Sequence, residues 1–292
     1  RRAFMAKKQK GKNSLNHQII RRFFRNKAAL LGLIYMVVLL FAAVFADKLF
    51  DYDTIVIRNN ISERLIPPCA AHWFGTDDLG RDIFARVVNG ARLSLTISYS
   101  AVALALVVGG IIGLFAAYYG GFVDELLMRL TDIFIAVPTT LMCIILVAAL
   151  GSSSLNLILA LGLASMPTFA RVVRSAVLTV RDEEYITSAR ALGARDSEIV
   201  TKHVLPNCMG PILVQTTLRI ASAIYNTSAL SFLGLGIAQP APEWGGMLSA
   251  GRNYIRTASY ISLIPGLAIM LTVLALNLMG DGIRDAIDPK LK

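Results

Sequence analysis

The chain has 292 residues, of which 55% are hydrophobic and only 16% are charged, and its mean hydropathy is +0.60. Because soluble domains average about 25% charged residues, this composition excludes an ordinary water-soluble protein and indicates one that lies in lipid. The net charge of +10 does not indicate nucleic-acid binding, since the basic residues are concentrated in a few loops and tails. Cys69, Cys143 and Cys208 lack the pair spacing of a disulfide framework or a zinc site.

Six stretches are long and apolar enough to cross a bilayer, which requires roughly 20 mainly apolar residues. They are Ala28–Ala46, Leu93–Ala117, Leu126–Leu150, Leu155–Val173, Pro211–Gly234 and Tyr260–Met279. We therefore predict an all-α integral membrane protein with six transmembrane helices. Because this number is even, both termini are expected on one side. Pro138, Pro167 and Pro265 interrupt the third, fourth and sixth stretches, where each produces either a mild kink or a gating hinge.

Lysine and arginine residues predict the orientation of these helices. The first 27 residues contain ten of them and no acid, and the loop after the fourth stretch and the C-terminal tail are also basic. By the positive-inside rule, both termini and this loop are cytoplasmic. The predicted organisation is a basic cytoplasmic tail (1–27), a first transmembrane helix (28–46), an extracytoplasmic loop (47–92), a five-helix core (93–281) that includes a cytoplasmic loop (180–206), and a cytoplasmic tail (282–292).

The cytoplasmic loop 180–206 is too polar to cross a membrane and too regular to be a linker. Asp182 can cap a short helix. Apolar residues then recur at helical spacing, at Tyr185, Ile186, Ala189 and Leu192. Gly193 can take the left-handed conformation that ends a helix, Asp196 or Ser197 can cap a second helix, and Pro206 is expected to end it. We predict two helices around a glycine turn, which form either a docking element for a groove on another protein or a solvated loop.

This loop resembles the EAA loop of binding-protein-dependent ABC importer permeases, whose pattern is Glu-Ala-Ala, three residues, Gly, nine residues, Ile, one residue, Leu-Pro. The corresponding residues are Thr187, Ser188, Ala189, Gly193, His203, Leu205 and Pro206. Strict matches occur only at Ala189, Gly193, Leu205 and Pro206. The resemblance implies that the loop docks onto a cytoplasmic ATPase. The candidate coupling residues are Glu184, Tyr185, Thr187, Ser188, Ala189, Arg190, Gly193, Ala194, His203, Leu205 and Pro206.

Longer stretches, at residues 72–95, 120–138, 230–248 and 265–292, resemble the C-type permease subunit of dipeptide and oligopeptide importers. The resemblance implies the MetI-like fold of type I ABC importer permeases, in a bacterial or archaeal plasma membrane. It also implies four kinds of partner: a second homologous permease, two ATPase subunits, an extracytoplasmic binding protein and the lipid membrane. Nickel-complex and glutathione importers share this subunit type. One departure is Thr227, where relatives often carry a glutamate.

Polar residues within the predicted spans are candidates for a substrate pathway. Arg219 lies eight residues into the fifth span, where a charge faces a cavity or snorkels to the interface. Asn226, Thr227 and Ser228 follow, and they either line the pathway or bond between helices. Consecutive helical residues are about 100° apart, so these three cannot all face one direction. Asn226 is the leading candidate, because serine and threonine bond back to their own helix more readily.

Acidic residues outside the loop have simpler interpretations. Asp77, Asp78 and Asp82 could bind a metal, but Leu79-Gly80 directly after Asp77-Asp78 favours a turn and a helix cap. Asp132 lies three residues after Arg129 and is expected to form a local ion pair with it rather than a proton relay.

The sequence contains no motif for chemistry of its own. It lacks both the phosphate-binding pattern G-x-x-x-x-G-K-[ST] and the metal-binding pattern H-E-x-x-H. None of its three histidines lies in a predicted span, which argues against an intramembrane serine protease. We therefore expect no enzyme activity, catalytic residue, metal or cofactor in this chain, with ATP and magnesium bound by the partner ATPase. The alternative class is an ion-coupled secondary transporter, which needs a buried ionisable relay and usually two repeated halves.

Overall fold

A computed structural model of the protein describes residues 18–287. Within this range the chain is helical, with one isolated bridge between Thr76 and Asp82, so the predicted all-α class is confirmed. The main helices are α1 (Lys27–Val44), α2 (Ile83–Tyr119), α3 (Gly121–Ile135), α4 (Thr139–Leu150), α5 (Ser154–Arg181), α6 (Glu184–Ala191), α7 (Leu205–Phe232), α8 (Trp244–Gly251) and α9 (Tyr260–Ile287).

Side-chain caps define where four of these helices begin. In each case a side chain accepts hydrogen bonds from backbone N–H groups in the first turn of the helix. The capping residues are Asn26 for α1, Asp82 for α2, Ser153 for α5 and Glu243 for α8. Such caps satisfy donors that have no partner within the helix. Because Asp82 caps α2, this helix begins ten residues before the predicted second span.

Helices α2 and α5 run parallel and in close contact. A Cβ atom on Gly109 would lie 2.3 Å from the carbonyl oxygen of Met166, and one on Gly113 would lie 2.2 Å from that of Ala170. Small residues of this kind let helix backbones approach closely in lipid. At the end of both helices, the Arg181 guanidinium donates a hydrogen bond to the Ala117 carbonyl. The chain must therefore return along the bundle between α2 and α5.

Helices α3 and α4 make this return as a broken pair, bent by 83°. Asp124 in α3 pairs with Arg174 near the end of α5, at 2.6 Å, whereas Cys143 in α4 packs near Leu157 at the start of α5. The interruption predicted at Pro138 within the stretch Leu126–Leu150 is therefore confirmed, and the 83° bend is much larger than a mild kink. Pro138 explains the break, because proline disfavours a helical conformation at the residue before it.

The predicted pair between Arg129 and Asp132 is wrong. Arg129 bonds to Glu125, one turn earlier in α3, at 2.8 Å, and Asp132 pairs instead with Arg171 of α5 at 2.7 Å. Glu125 therefore pairs within α3, whereas Asp132 connects α3 to α5.

Helices α1, α7 and α9 complete the bundle. Gly32 of α1 lies against Ala275 of α9, and Gly280 of α9 lies against Thr217 of α7. Asn26, at the start of α1, is hydrogen-bonded to Asp285, near the end of α9. The two ends of the described chain therefore lie at the same end of the bundle, together with Tyr119 and Arg181.

Not every predicted span is a helix that is long and apolar enough to cross a membrane. Within residues 18–287, four helices are long and apolar enough (α1, α2, α5 and α9), and the bent pair α3–α4 counts as a fifth if it is one span. Helix α7 has 28 residues but is too polar to qualify, because it contains Arg219 and several threonines and serines. Apolar composition thus supports four or five of the six predicted spans.

The opposite end of the bundle is covered by the segments 50–82 and 233–259. Asp77 is central here: its carboxylate bonds to Arg81 at 2.7 Å, lies 3.5 Å from Arg86, and accepts the backbone N–H groups of Leu79 and Arg81. The Arg86 guanidinium donates to the Val56 carbonyl at 2.8 Å. Asp77 therefore stabilises a turn, as expected, while Asp82 is the helix cap.

Candidate functional site

The helical loop after α5 is anchored by a few fully buried side chains. Ile186 of α6 packs with Ile199, Val204 and Val177, which belong to the loop and to the end of α5. Helix α6 begins after Glu183, so the predicted cap at Asp182 is displaced by one residue, and Glu183 makes no side-chain capping bond. The helix is thus held mainly by its buried apolar face.

Gly193 ends α6 in the predicted left-handed conformation, with φ of 84°. Its N–H donates to the Arg190 carbonyl at 3.0 Å, and the Ala194 N–H donates to the Ala189 carbonyl at 3.1 Å. This pair of bonds is the Schellman motif, which satisfies the last carbonyls of a helix. A Cβ at Gly193 would meet no atom within 4 Å, so the preference for glycine comes from the backbone conformation and not from lack of space.

The second half of the loop continues into the bundle without a break. The helical turn Asp196–Ile199 is followed by the π-helical turn Val200–Val204, which leads directly into α7. The prediction that Pro206 separates this helix from the next is wrong. Pro206 lies in the first turn of α7, directly after the π-helical turn, and does not interrupt the helical path. The loop and α7 are therefore connected by continuous helical backbone.

Most predicted coupling residues lie on the outer side of the loop. The exposed ones are Glu184, Tyr185, Thr187, Ser188, Arg190, Gly193 and Pro206. The half-buried ones are Ala189, Ala194, His203 and Leu205. Leu192 was expected on the apolar face, but it is 88% exposed. The loop therefore presents both polar groups and an uncovered leucine.

Polar contacts from α2 also hold the loop. The Tyr118 hydroxyl donates to the Asp196 carboxylate at 2.6 Å, and Arg190 approaches the same hydroxyl at 3.5 Å. This contact raises the pKa of Arg190, while a hydrogen bond from Lys202 lowers the pKa of Glu198. Sequence reasoning missed Tyr118, since it lies 72 residues before Arg190 and 78 residues before Asp196 along the chain; its only signal is a tyrosine at the end of an apolar run.

The predicted pathway residues separate into two groups. Arg219 and Asn226 line a groove of about 360 Å³ with Ser222 of α7, Thr139 of α4 and Asn277 of α9. By contrast, the other two predicted residues are buried and bond back to their own helix. Thr227 donates to the Ala223 carbonyl at 2.8 Å, and Ser228 donates to the Ile224 carbonyl at 2.9 Å.

Family comparisons identify the class of this helical bundle. The sequence model of the binding-protein-dependent transport system inner membrane component matches residues 106–292. A second model, for the N-terminal transmembrane domain of oligopeptide transport permease C, matches residues 14–68. The chain therefore belongs to the family of binding-protein-dependent transport system inner membrane components, and it is a multi-pass membrane protein.

Similar curated proteins are permeases of named transport systems. The chain is 47% identical over 268 residues to the dipeptide transport system permease protein DppC of Alkalihalophilus pseudofirmus, covering 92% of this chain and 88% of the relative. It is 44% identical to the di/tripeptide permease DppC of Pseudomonas aeruginosa, covering 92% and 90%. It is 43% identical to the glutathione permease GsiD of Escherichia coli, covering 94% and 91%.

Solved structures show the same fold. One chain of the MetNI methionine ABC transporter, in an inward-facing conformation, superposes with a TM-score of 0.56 at 18% identity, covering 70% of this chain and 98% of that one. A chain of an amino acid ABC transporter gives a TM-score of 0.54 at 13% identity, covering 69% and 94%. The MetI-like permease fold of type I ABC transporters is thus confirmed.

Proposed function

We propose that this chain is the permease subunit of an ATP-driven importer of dipeptides or oligopeptides and forms half of its translocation pathway. A second, homologous permease supplies the other half, and an extracytoplasmic binding protein delivers the solute. The names of the two DppC relatives support peptides as the solute. The GsiD relative makes glutathione, itself a small peptide, the second candidate.

The exposed face of α6 is the proposed docking site for the ATPase subunits. The observation that carries this proposal is a helix anchored by buried Ile186 whose opposite side, including Leu192, is uncovered. This uncovered side presents Tyr185 and Leu192, 43% and 88% exposed, as the apolar groups that would enter a groove on the partner. In this proposal two ATPase subunits bind ATP and magnesium and hydrolyse the nucleotide, while this chain binds neither a cofactor nor a metal.

The loop-bearing end of the bundle is proposed to face the cytoplasm of a bacterium or archaeon. Five arginines lie at or near this end, in agreement with the positive-inside rule. They are Arg171, Arg174, Arg181, Arg190 and Arg195. We also propose that α7 is a sixth membrane crossing despite its polarity. It extends from the buried cluster around Val204 to Ser228, which lies against Gly245 near the opposite end.

A purification experiment tests the proposed assembly. Affinity-tagged chain expressed in its native host should co-purify with a second permease and an ATPase. The reconstituted complex should take up a dipeptide only when both ATP and the binding protein are present. Competition between dipeptides and glutathione then ranks the two candidate solutes. Uptake driven by an ion gradient without ATP would contradict the proposal and favour a secondary transporter.

Cysteine labelling tests the proposed sidedness. Exposed Ser188 and Asn253 lie at opposite ends of the bundle. In a background lacking the three native cysteines, a membrane-impermeant thiol reagent added outside should label Asn253→Cys directly. The same reagent should label Ser188→Cys only after the cells are permeabilised. Labelling of both positions from outside would overturn the orientation.

A further inference from the structure

The groove between α4, α7 and α9 contains a positive charge that the chain does not neutralise. No acidic side chain in residues 18–287 lies within ion-pair distance of Arg219, which is half-buried. Two other arginines of the bundle, Arg171 and Arg174, are paired with Asp132 and Asp124. The charge of Arg219 is therefore available to a group from outside this chain.

Arg219 lies too deep for its charge to be incidental. Helix α7 begins at Leu205, not at Pro211 as predicted, which places Arg219 at the centre of its 28 residues. At 1.5 Å per residue, this position is roughly 20 Å from either end of the helix. Val273, at the centre of α9, lines the same groove. A charge at this depth is costly and is generally retained for function.

Unused hydrogen-bonding groups accompany the charge. Arg219, Ser222 and Asn226 are spaced so that they share one face of α7, and all three line the groove. The side-chain amides of Asn226 and Asn277 make no hydrogen bond to any described residue, whereas other helical asparagines bond to backbone carbonyls. These are Asn89, Asn156 and Asn207. The groove thus combines one cation with two unengaged amides and contains no acid among its lining residues.

We propose that Arg219 binds the free carboxylate of the transported solute and that Asn226 and Asn277 hydrogen-bond the adjoining amide groups. This inference rests on the proposed function of the chain as a peptide permease. A guanidinium binds a carboxylate through two parallel hydrogen bonds, which makes it selective for that group. The groove volume of about 360 Å³ is within the range of small-ligand sites. The first turn of α4, which begins at Thr139 without a side-chain cap, adds a weaker positive field.

The test compares a peptide with its C-terminal amide, which differs only in the carboxylate. The complete importer is reconstituted with its ATPase and binding protein, and ATP-driven uptake of both compounds is measured. The ratio of acid to amide uptake should fall at least tenfold in Arg219→Gln, because a charge-assisted bidentate contact is lost. Arg219→Lys should retain part of the preference. The same binding protein is used throughout, so its own preference for the carboxylate cancels when wild type and variant are compared.

Arg256→Gln is the matched control, because Arg256 is exposed in the segment before α9 and outside the groove. It should leave the acid-to-amide ratio unchanged. An unchanged ratio in Arg219→Gln would overturn the inference, while ATP-driven uptake itself would still support the permease function. Loss of the second permease from purified Arg219→Gln would also overturn it, because Arg219 would then pair with that subunit. Absence of ATP-driven uptake in the wild type would instead refute the proposed function.

Discussion

Gly193→Val should reduce ATPase binding and solute uptake together without unfolding the bundle. The φ of 84° at Gly193 costs a β-branched residue about 1–2 kcal/mol or more. The Schellman bonds that end α6 would be lost, and the exposed face of the helix would no longer hold its orientation. We expect about tenfold less ATPase to co-purify with the variant, and solute uptake to fall in proportion. Membrane insertion should remain normal, since Gly193 contacts no other element.

Two control variants distinguish loss of this turn from general damage. Gly193→Asn should stay close to wild type, because asparagine tolerates the left-handed conformation and the site has room for a side chain. Gly121 also has a positive φ, of 54°, with open space around it, but it lies at the start of α3. Gly121→Val should therefore not reduce ATPase binding. Normal ATPase binding and uptake in Gly193→Val would contradict the coupling role of the loop.

The helical class and the glycine turn could both be predicted from local sequence, because they depend on local physical chemistry. Apolar runs of about 20 residues indicate membrane helices without reference to other parts of the chain. Gly193 was predicted correctly for the same reason, since a helix end requires only a residue that accepts a positive φ. The resemblance of the loop to a known family supplied what local chemistry could not, namely the kind of partner.

Features that depend on distant contacts could not be predicted in this way. Pro138 predicted an interruption between α3 and α4, but an apolar run does not reveal how far a helix bends, so the angle of 83° could not be predicted. The continuous path from the loop into α7 was missed because Pro206 is compatible with both a helix end and a first turn. Asp132 pairs with Arg171 across helices, and its distance from Arg129 along the chain gave a misleading indication.

Asp77→Ala should be the most destabilising single change in the segments that cover the end of the bundle opposite the loop. The Asp77 side chain is 8% exposed, and those of Arg81 and Arg86 are each 2% exposed. Removing the carboxylate takes away the acidic group that lies within ion-pair distance of these two buried guanidinium groups, which costs about 3–5 kcal/mol in comparable sites. Faster amide hydrogen exchange throughout residues 50–82 of the purified protein would measure this loss.

The chain offers a matched control in the exposed pair of Asp47 and Arg92. Their side chains are 56% and 57% exposed, and water can solvate either partner after the other is removed. Asp47→Ala should therefore cost no more than about 1 kcal/mol. Asp77→Asn keeps an oxygen that can accept the backbone N–H groups of Leu79 and Arg81 but removes the charge, so its effect should be intermediate. Equal exchange rates in Asp77→Ala and Asp47→Ala would show that water reaches the arginines, and that burial does not determine the contribution of this carboxylate.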